Sequence, residues 1–515
     1  DDLSLPTRKK RVGPLALAFA ALGLLLPAAL ASAEPQLRAG FGRAPITPVL
    51  ADSWTDIDGD GRYDEDVDRY EDRNGNGRFD AIYMAGFQSP RPATGVHDEL
   101  EAVAAVFDDG DTRVGIVAAD VVGLSHSFAR KVREVYAEEL GLDYLLVHAT
   151  HNHQGPDTQG IWGRSRLRSG IPDGYLKFLR KQIGTALAQA VRRLEPAELE
   201  IAEIRGRDRR IGTIDTRRPD VIDDGLRVAV VTRAGGDDVL GTLVNFGNHV
   251  ELTWDRNLEL TADVAGWARR GLDVGLDYDG ARYKAGLGGT TLWLTGNIGG
   301  LITTPPRIAV MDPRSGELVA TPSQEKARAQ GYQIAEAVLD ARAAGEFTRV
   351  GSPSVSALKR QIDVPISNWP LLFAGSTGVL DRDLDLRWGF ETESEVGLVR
   401  IGELWIACVP GELYPEIAVG GIENPPGADY RIAPVEVPPL RSAMRGRVNM
   451  MVNLANDALG YIIPKSEWDA DEPWIYGASE ESYGEVVSAG PETARIVHRA
   501  LLRVFATASG ERKKK

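Results

Sequence analysis

Three consecutive segments limit what this chain can fold into. Residues 112–124, TRVGIVAADVVGL, form a long apolar run rich in valine. Residues 128–141, FARKVREVYAEELG, repeat apolar positions at helical spacing and stop at Gly141. Residues 143–150, DYLLVHAT, are apolar on both faces again. Strands of that kind must be covered on both sides, and strand–helix–strand order does this by laying the helix over the sheet. The alternation continues. Strands are expected at 37–48, 198–206, 227–234 and 239–249, with two more around a Gly-Glu turn within 396–412. Helices are expected at 173–194, 262–276, 323–345 and 491–510. The pattern predicts an α/β fold with mixed central β-sheets flanked by helices.

No linker rich in Gly, Ser and Pro interrupts residues 34–510, so one domain is expected there. An apolar fraction of 43% in 515 residues supplies a large core. Cys408 is the single cysteine, so no disulfide can form within the chain. Residues 1–33 read as a cleaved signal peptide: a basic RKKR at 8–11, an apolar stretch, then Ala-Ser-Ala at 31–33. A secreted or periplasmic protein is expected, ending in a disordered tail, ERKKK, at 511–515. The net charge of −15 argues against nucleic acid as a partner.

Much acidity is concentrated in an insert at 52–84. DIDGDGRYD (56–64) and DRNGNGRFD (72–80) share the pattern D-x-[DN]-G-[DN]-G-R-[YF]-D. Oxygen side chains at positions 1, 3 and 5, Gly at 6 and a carbonyl at 7 form the front half of a calcium loop. The expected Ca2+ ligands are Asp56, Asp58, Asp60, the carbonyl of Arg62 and Asp64. In the second loop they are Asp72, Asn74, Asn76, the carbonyl of Arg78 and Asp80. Val67 and Tyr83 stand where each loop's twelfth-position Glu is expected.

Chemistry in α/β proteins gathers at strand ends. The strand 143–150 runs into His151-Asn152-His153, and residues two apart in extended chain share a face. His148 then points inward. Strand 239–249 ends at His249, and the strand near 404–410 is followed by Glu412. Two histidines and a glutamate are a ligand set for catalytic zinc. Each residue alone has a plainer reading, as packing or as a turn.

Several ordered motifs resemble the neutral, non-lysosomal ceramidases in their N-terminal catalytic domain. They are RPATGVHDEL (91–100), ATHNHQGP (149–156), VPGE (409–412), LANDALGYI (454–462) and YGAS (476–479). The resemblance implies a zinc-dependent amidohydrolase acting on linear amides of an N-acyl or lipid-like substrate, with transient membrane-surface contact. It implies zinc held by His151, His249, Glu412 and Tyr461. His153 would then lie beside the reacting amide, and Tyr476 would stabilise the oxyanion. Arg210, in DRRIGTIDTRRP, is the counterpart of a substrate-binding arginine. His97 is expected to line the pocket or to serve a structural role, and Asp263 to support a ligand histidine or to act as a helix N-terminal acid. The family's active-site Ser segment appears here as NIGGLITTP (297–305). Ile302 takes the Ser position, and Thr303 or Thr304 replaces it only in part. The family's further C-terminal immunoglobulin-like domain is not expected within these 515 residues. Both departures put ceramide itself in doubt and keep two other readings open: an esterase, lactonase or other amidase, or a non-catalytic, calcium-stabilised binding protein.

Overall fold

The computed structural model describes residues 36–510 except 88–89, 166, 352 and 386–389. The expected signal peptide and C-terminal tail lie outside the described residues. Among the described residues, no helix is long and apolar enough to cross a membrane.

The larger sheet contains β1 (Arg38–Pro45), β2 (Glu101–Asp108), β3 (Arg113–Ala119), β4 (Tyr144–Ala149), β5 (Glu195–Arg205), β6 (Gly225–Arg233), β7 (Val239–Phe246) and β8 (Thr290–Thr295). Its order is β8-β7-β6-β5-β1-β2-β3-β4, with Thr348–Val350 paired to β5. The β3/β4 and β7/β8 pairs are parallel; the others along this path are antiparallel. A smaller sheet runs in the order β9 (Val355–Pro365), β10 (Glu391–Ile401), β11 (Leu404–Cys408), β12 (Val448–Val452).

The two sheets face each other across a core that includes Phe41, Phe107, Leu146, Ile406 and Met450. On its outer face the larger sheet is covered by α1 (His126–Glu139) and α2 (Tyr175–Arg192) at one end. At the other end α3 (Asp263–Asp273) and α4 (Gln324–Ala343) cover it. A C-terminal helix, Thr493–Ala508, covers the smaller sheet. This is the expected α/β architecture, and the anticipated elements form within a few residues of their sequence limits. The pattern is less legible in β9, VSALKRQIDVP, where Lys359, Arg360 and Gln361 are exposed on an edge strand. Charge on an edge discourages further pairing.

The larger sheet curls until its two edge strands meet. Thr295, at the end of β8, donates its N–H to His148 Nε2 at 3.1 Å and its hydroxyl to the Thr150 carbonyl at 2.7 Å. The segment after β12 fills the remaining seam. Asn453 N–H donates to the Thr295 carbonyl, and Asn456 N–H donates to the Val147 carbonyl. His148 is therefore a structural stitch, fully buried and held neutral by that burial, its pKa pushed down to about 3. Closing the seam brings the ends of β4 and β7 to one place.

Candidate metal centre

His151 and His153 follow the end of β4, His249 follows β7, and Glu412 follows β11. A short parallel ladder pairs Glu412 with Tyr461. His151 adopts φ +63°, a left-handed conformation that is strained for a non-glycine residue and common at functional sites.

Each ring is fixed from behind. His151 Nδ1 lies 2.8 Å from the Val122 carbonyl, and His249 Nδ1 lies 2.9 Å from the Ile302 carbonyl. A carbonyl can only accept, so both Nδ1 atoms carry a proton, and in the neutral ring each Nε2 presents a lone pair. His153 Nδ1 lies 2.8 Å from Glu251 Oε2, and the other oxygen, Oε1, accepts from the Thr303 hydroxyl at 2.6 Å. The Nε2 atoms of His151 and His153 are 3.1 Å apart. Glu412 Oε2 lies 3.5 Å from His151 Nε2 and 3.3 Å from His249 Nε2. Among the described residues, His249 Nε2 and Glu412 Oε2 are buried without a hydrogen-bonding partner.

Lone pairs aimed at one buried point repel one another unless a cation sits among them. The donor set fits a zinc ion: neutral imidazoles, one carboxylate, and carbonyl or carboxylate partners behind the rings. Ligand atoms of His151, His153 and His249 all lie within 4.8 Å of one another. Burial keeps His153 neutral, pushed down to about 4.

Two supports were not anticipated. Glu251 follows His249 by two residues, the same spacing that marks His151 and His153, so its approach could have been read from NHVE. Arg91 gave no such signal. It is 2% exposed, and its guanidinium donates to the carbonyls of Ala85, His153 and Asn257 and to the Gln154 side chain. Burial lowers its pKa to about 10. Gly86 completes the clamp, because a Cβ there would lie 2.4 Å from the His153 ring.

The remaining expected residues divide. Tyr461 lines the cleft, is 4% exposed, and has its phenol kept protonated by burial and by Glu412. Tyr476 does not reach the cleft; its hydroxyl donates to Glu423 at 2.5 Å near the surface. Tyr483 lines the cleft instead, its ring 6.1 Å from Tyr461. Burial and Glu412 push its pKa up to about 12. Arg210 is exposed in a left-handed turn, φ +59°, and does not line the cleft. Arg217, from the same segment, is pinned to Glu485, Tyr414 and the Glu467 carbonyl. His97 is exposed and faces Asp98. Thr303 serves Glu251 rather than lining the cleft. Asp263 supports no ligand histidine: its carboxylate accepts from Leu252 and Thr253, ordering the loop that follows Glu251. Ile302 contributes its carbonyl, which any side chain would allow.

The centre sits at the head of a cleft walled by Phe87, Ile161, Trp162, Ile366, Leu371, Leu380, Leu459 and Val487.

The acidic insert is built differently. Asp56 accepts from the N–H groups of Gly59 and Gly61, Asp58 from Asp60 and Asp60 from Arg62. Asp64 accepts from Asp66. In the second loop Asp72 accepts from Gly75, Asn76 and Gly77, and Asn76 from Arg78. Asp80 accepts from the side-chain amides of Asn74 and Asn76. Tyr63 packs against Phe79, ring centroids 4.2 Å apart and tilted by 42°, joining the two loops. Two buried carboxylates were missed. Asp68 joins Asp56 and Asp58 in a possible cation cluster, and Asp52 holds the N–H groups of Arg73 and Asp80.

No protein-family model matches the chain, and no curated protein matches its sequence. Solved structures match its fold, and two of them are ceramidases. A neutral ceramidase from Pseudomonas aeruginosa superposes with a TM-score of 0.65 at 16% identity, covering 92% of this chain and 75% of that one. A ceramidase complexed with C2 superposes with a TM-score of 0.64 at 16% identity, covering 93% and 76%. This chain therefore has a neutral-ceramidase-like fold.

Proposed function

We propose that this protein is an exported, zinc-dependent hydrolase that cleaves an N-acyl amide bond in a lipid-like substrate. One observation carries the reading: buried, unsatisfied His and Glu donors converge at the head of an apolar cleft. His151, His249 and Glu412 would hold the ion, with Tyr461 beside them. When bound, zinc supplies a Lewis acid and a water acidic enough to attack near neutral pH.

The protein's own groups supply the rest. His153 is distinct among the three rings because a carboxylate, Glu251, stands behind it. A carboxylate-backed imidazole can take up a proton at Nε2 and return it to a leaving amine. Tyr483 is placed to donate a hydrogen bond to a developing oxyanion. The apolar walls take the acyl chain and exclude water. The helix Trp369–Ser376 supports contact with a lipid surface: Leu371 lines the cleft, while Trp369 and Phe373 are exposed. The Asp loops would take up calcium and stiffen the insert.

The test is hydrolysis of a panel of N-acyl amides, esters and lactones by purified protein of measured zinc content. Zinc-dependent release of amine from N-acyl amides is expected. Turnover confined to esters or lactones would favour the repurposed reading, and no zinc with no turnover would favour a binding protein.

A further inference from the structure

The cleft is apolar along most of its wall, yet one carboxylate faces it without a cation. Asp381 lines the cleft with Ser125 and Gln159. Ser125 caps α1, accepting the Phe128 N–H at 3.1 Å, and this leaves its hydroxyl hydrogen to donate to Asp381 Oδ2 at 2.8 Å. The backbone fixes Asp381 as well, through its N–H to the Gln159 carbonyl at 3.2 Å. Among the described residues nothing neutralises it. Arg382 beside it is committed to Asp457, at 2.8 and 3.2 Å, and to the Ala458 carbonyl. Arg130 is committed to Asp383 at 3.0 Å.

We infer that Asp381 recognises a protonated amine carried on the amine portion of the substrate, with Ser125 positioning the carboxylate. This rests on the amidase reading for its orientation. Asp381 is part-buried, and a charge-assisted hydrogen bond in a largely apolar cleft is stronger than at the open surface. The reach is short. Ser125 lies three residues beyond Val122, whose carbonyl holds His151, so the loop spans at most about 11 Å. A spacer of a few methylenes between the scissile amide and the ammonium suits that distance. The preferred substrate is therefore an N-acylated diamine-like compound rather than an amide whose amine portion is neutral.

The test uses two octanoyl amides of matched length, N-(4-aminobutyl)octanamide and N-pentyloctanamide. Binding is measured by calorimetry on the full chain carrying His151→Ala, so the readout does not depend on turnover. The charged amide should bind at least about tenfold more tightly. Adding Asp381→Asn should bring the two within about twofold, and Ser125→Ala should reduce the preference only in part. Equal binding of the two amides by the His151→Ala protein, or a preference unchanged by Asp381→Asn, would overturn the assignment. Failure of the wild type to hydrolyse either amide would count against the amidase reading and leave this binding result to stand by itself.

Discussion

The histidine centre and the aspartate loops are both clusters of metal-type ligands, but they treat their donors in opposite ways. At the centre, His249 is 1% and Glu412 6% exposed, and their Nε2 and Oε2 atoms have no hydrogen-bonding partner among the described residues. In the insert most residues are exposed, and the carboxylates accept N–H groups from their own loops. The centre has been organised for something it must bind. The loops are partly satisfied without an ion, so a cation there adds order to a conformation the turns already favour.

The largest effect should come from breaking the centre. Glu412→Ala or His249→Ala should abolish zinc retention and lower kcat/KM by at least on the order of 10³, because groups acting as one unit fail together. Glu251→Gln sharpens the division of roles. It should lower kcat on the order of 10² with zinc content unchanged, and His153→Ala should likewise retain zinc. Loss of zinc in His153→Ala would make that ring a ligand instead.

Arg91→Met should cost about 3 kcal/mol in urea unfolding, because several buried carbonyls lose their donor. In the insert, restoring calcium to calcium-free protein should raise Tm by about 5 °C. Asp56→Ala with Asp72→Ala should remove that response and leave zinc content intact.

A pH scan separates a third kind of acid. Asp215 is part-buried and accepts from the N–H groups of Arg217 and Val221, yet burial pushes its pKa up to about 7. The folded protein therefore holds a proton there that the unfolded chain releases near pH 4. That contribution to stability is complete below about pH 4 and is lost as pH rises through 7. Asp215→Asn should flatten this part of the stability–pH curve, measured by denaturant midpoints between pH 4.5 and 8.

How much of this the sequence disclosed follows from geometry. His151 and His153 were legible as paired metal-type side chains at a strand end, and Glu251 could have been from the same spacing after His249, although a left-handed turn at His151, φ +63°, rather than extended alternation sets how the first two rings meet. Apolar runs on both faces announced the buried strands. Positions set by irregular backbone were not legible. Arg210 and Arg217 lie in one segment, but a left-handed turn sends the first to solvent and a buried carboxylate captures the second. Tyr476 and Tyr483 were exchanged in the same way, since the loop between them has no period to read. Arg91 was hidden because an arginine usually signals a solvated surface, and only the fold shows the carbonyls that surround it.

The most direct measurement is the zinc content of wild-type protein after gel filtration into metal-free buffer, beside Glu412→Ala treated identically. The convergence of His151, His249 and Glu412 predicts close to one zinc per wild-type chain and almost none in the variant. A folded wild-type protein that retains no zinc and takes none up on titration would contradict it.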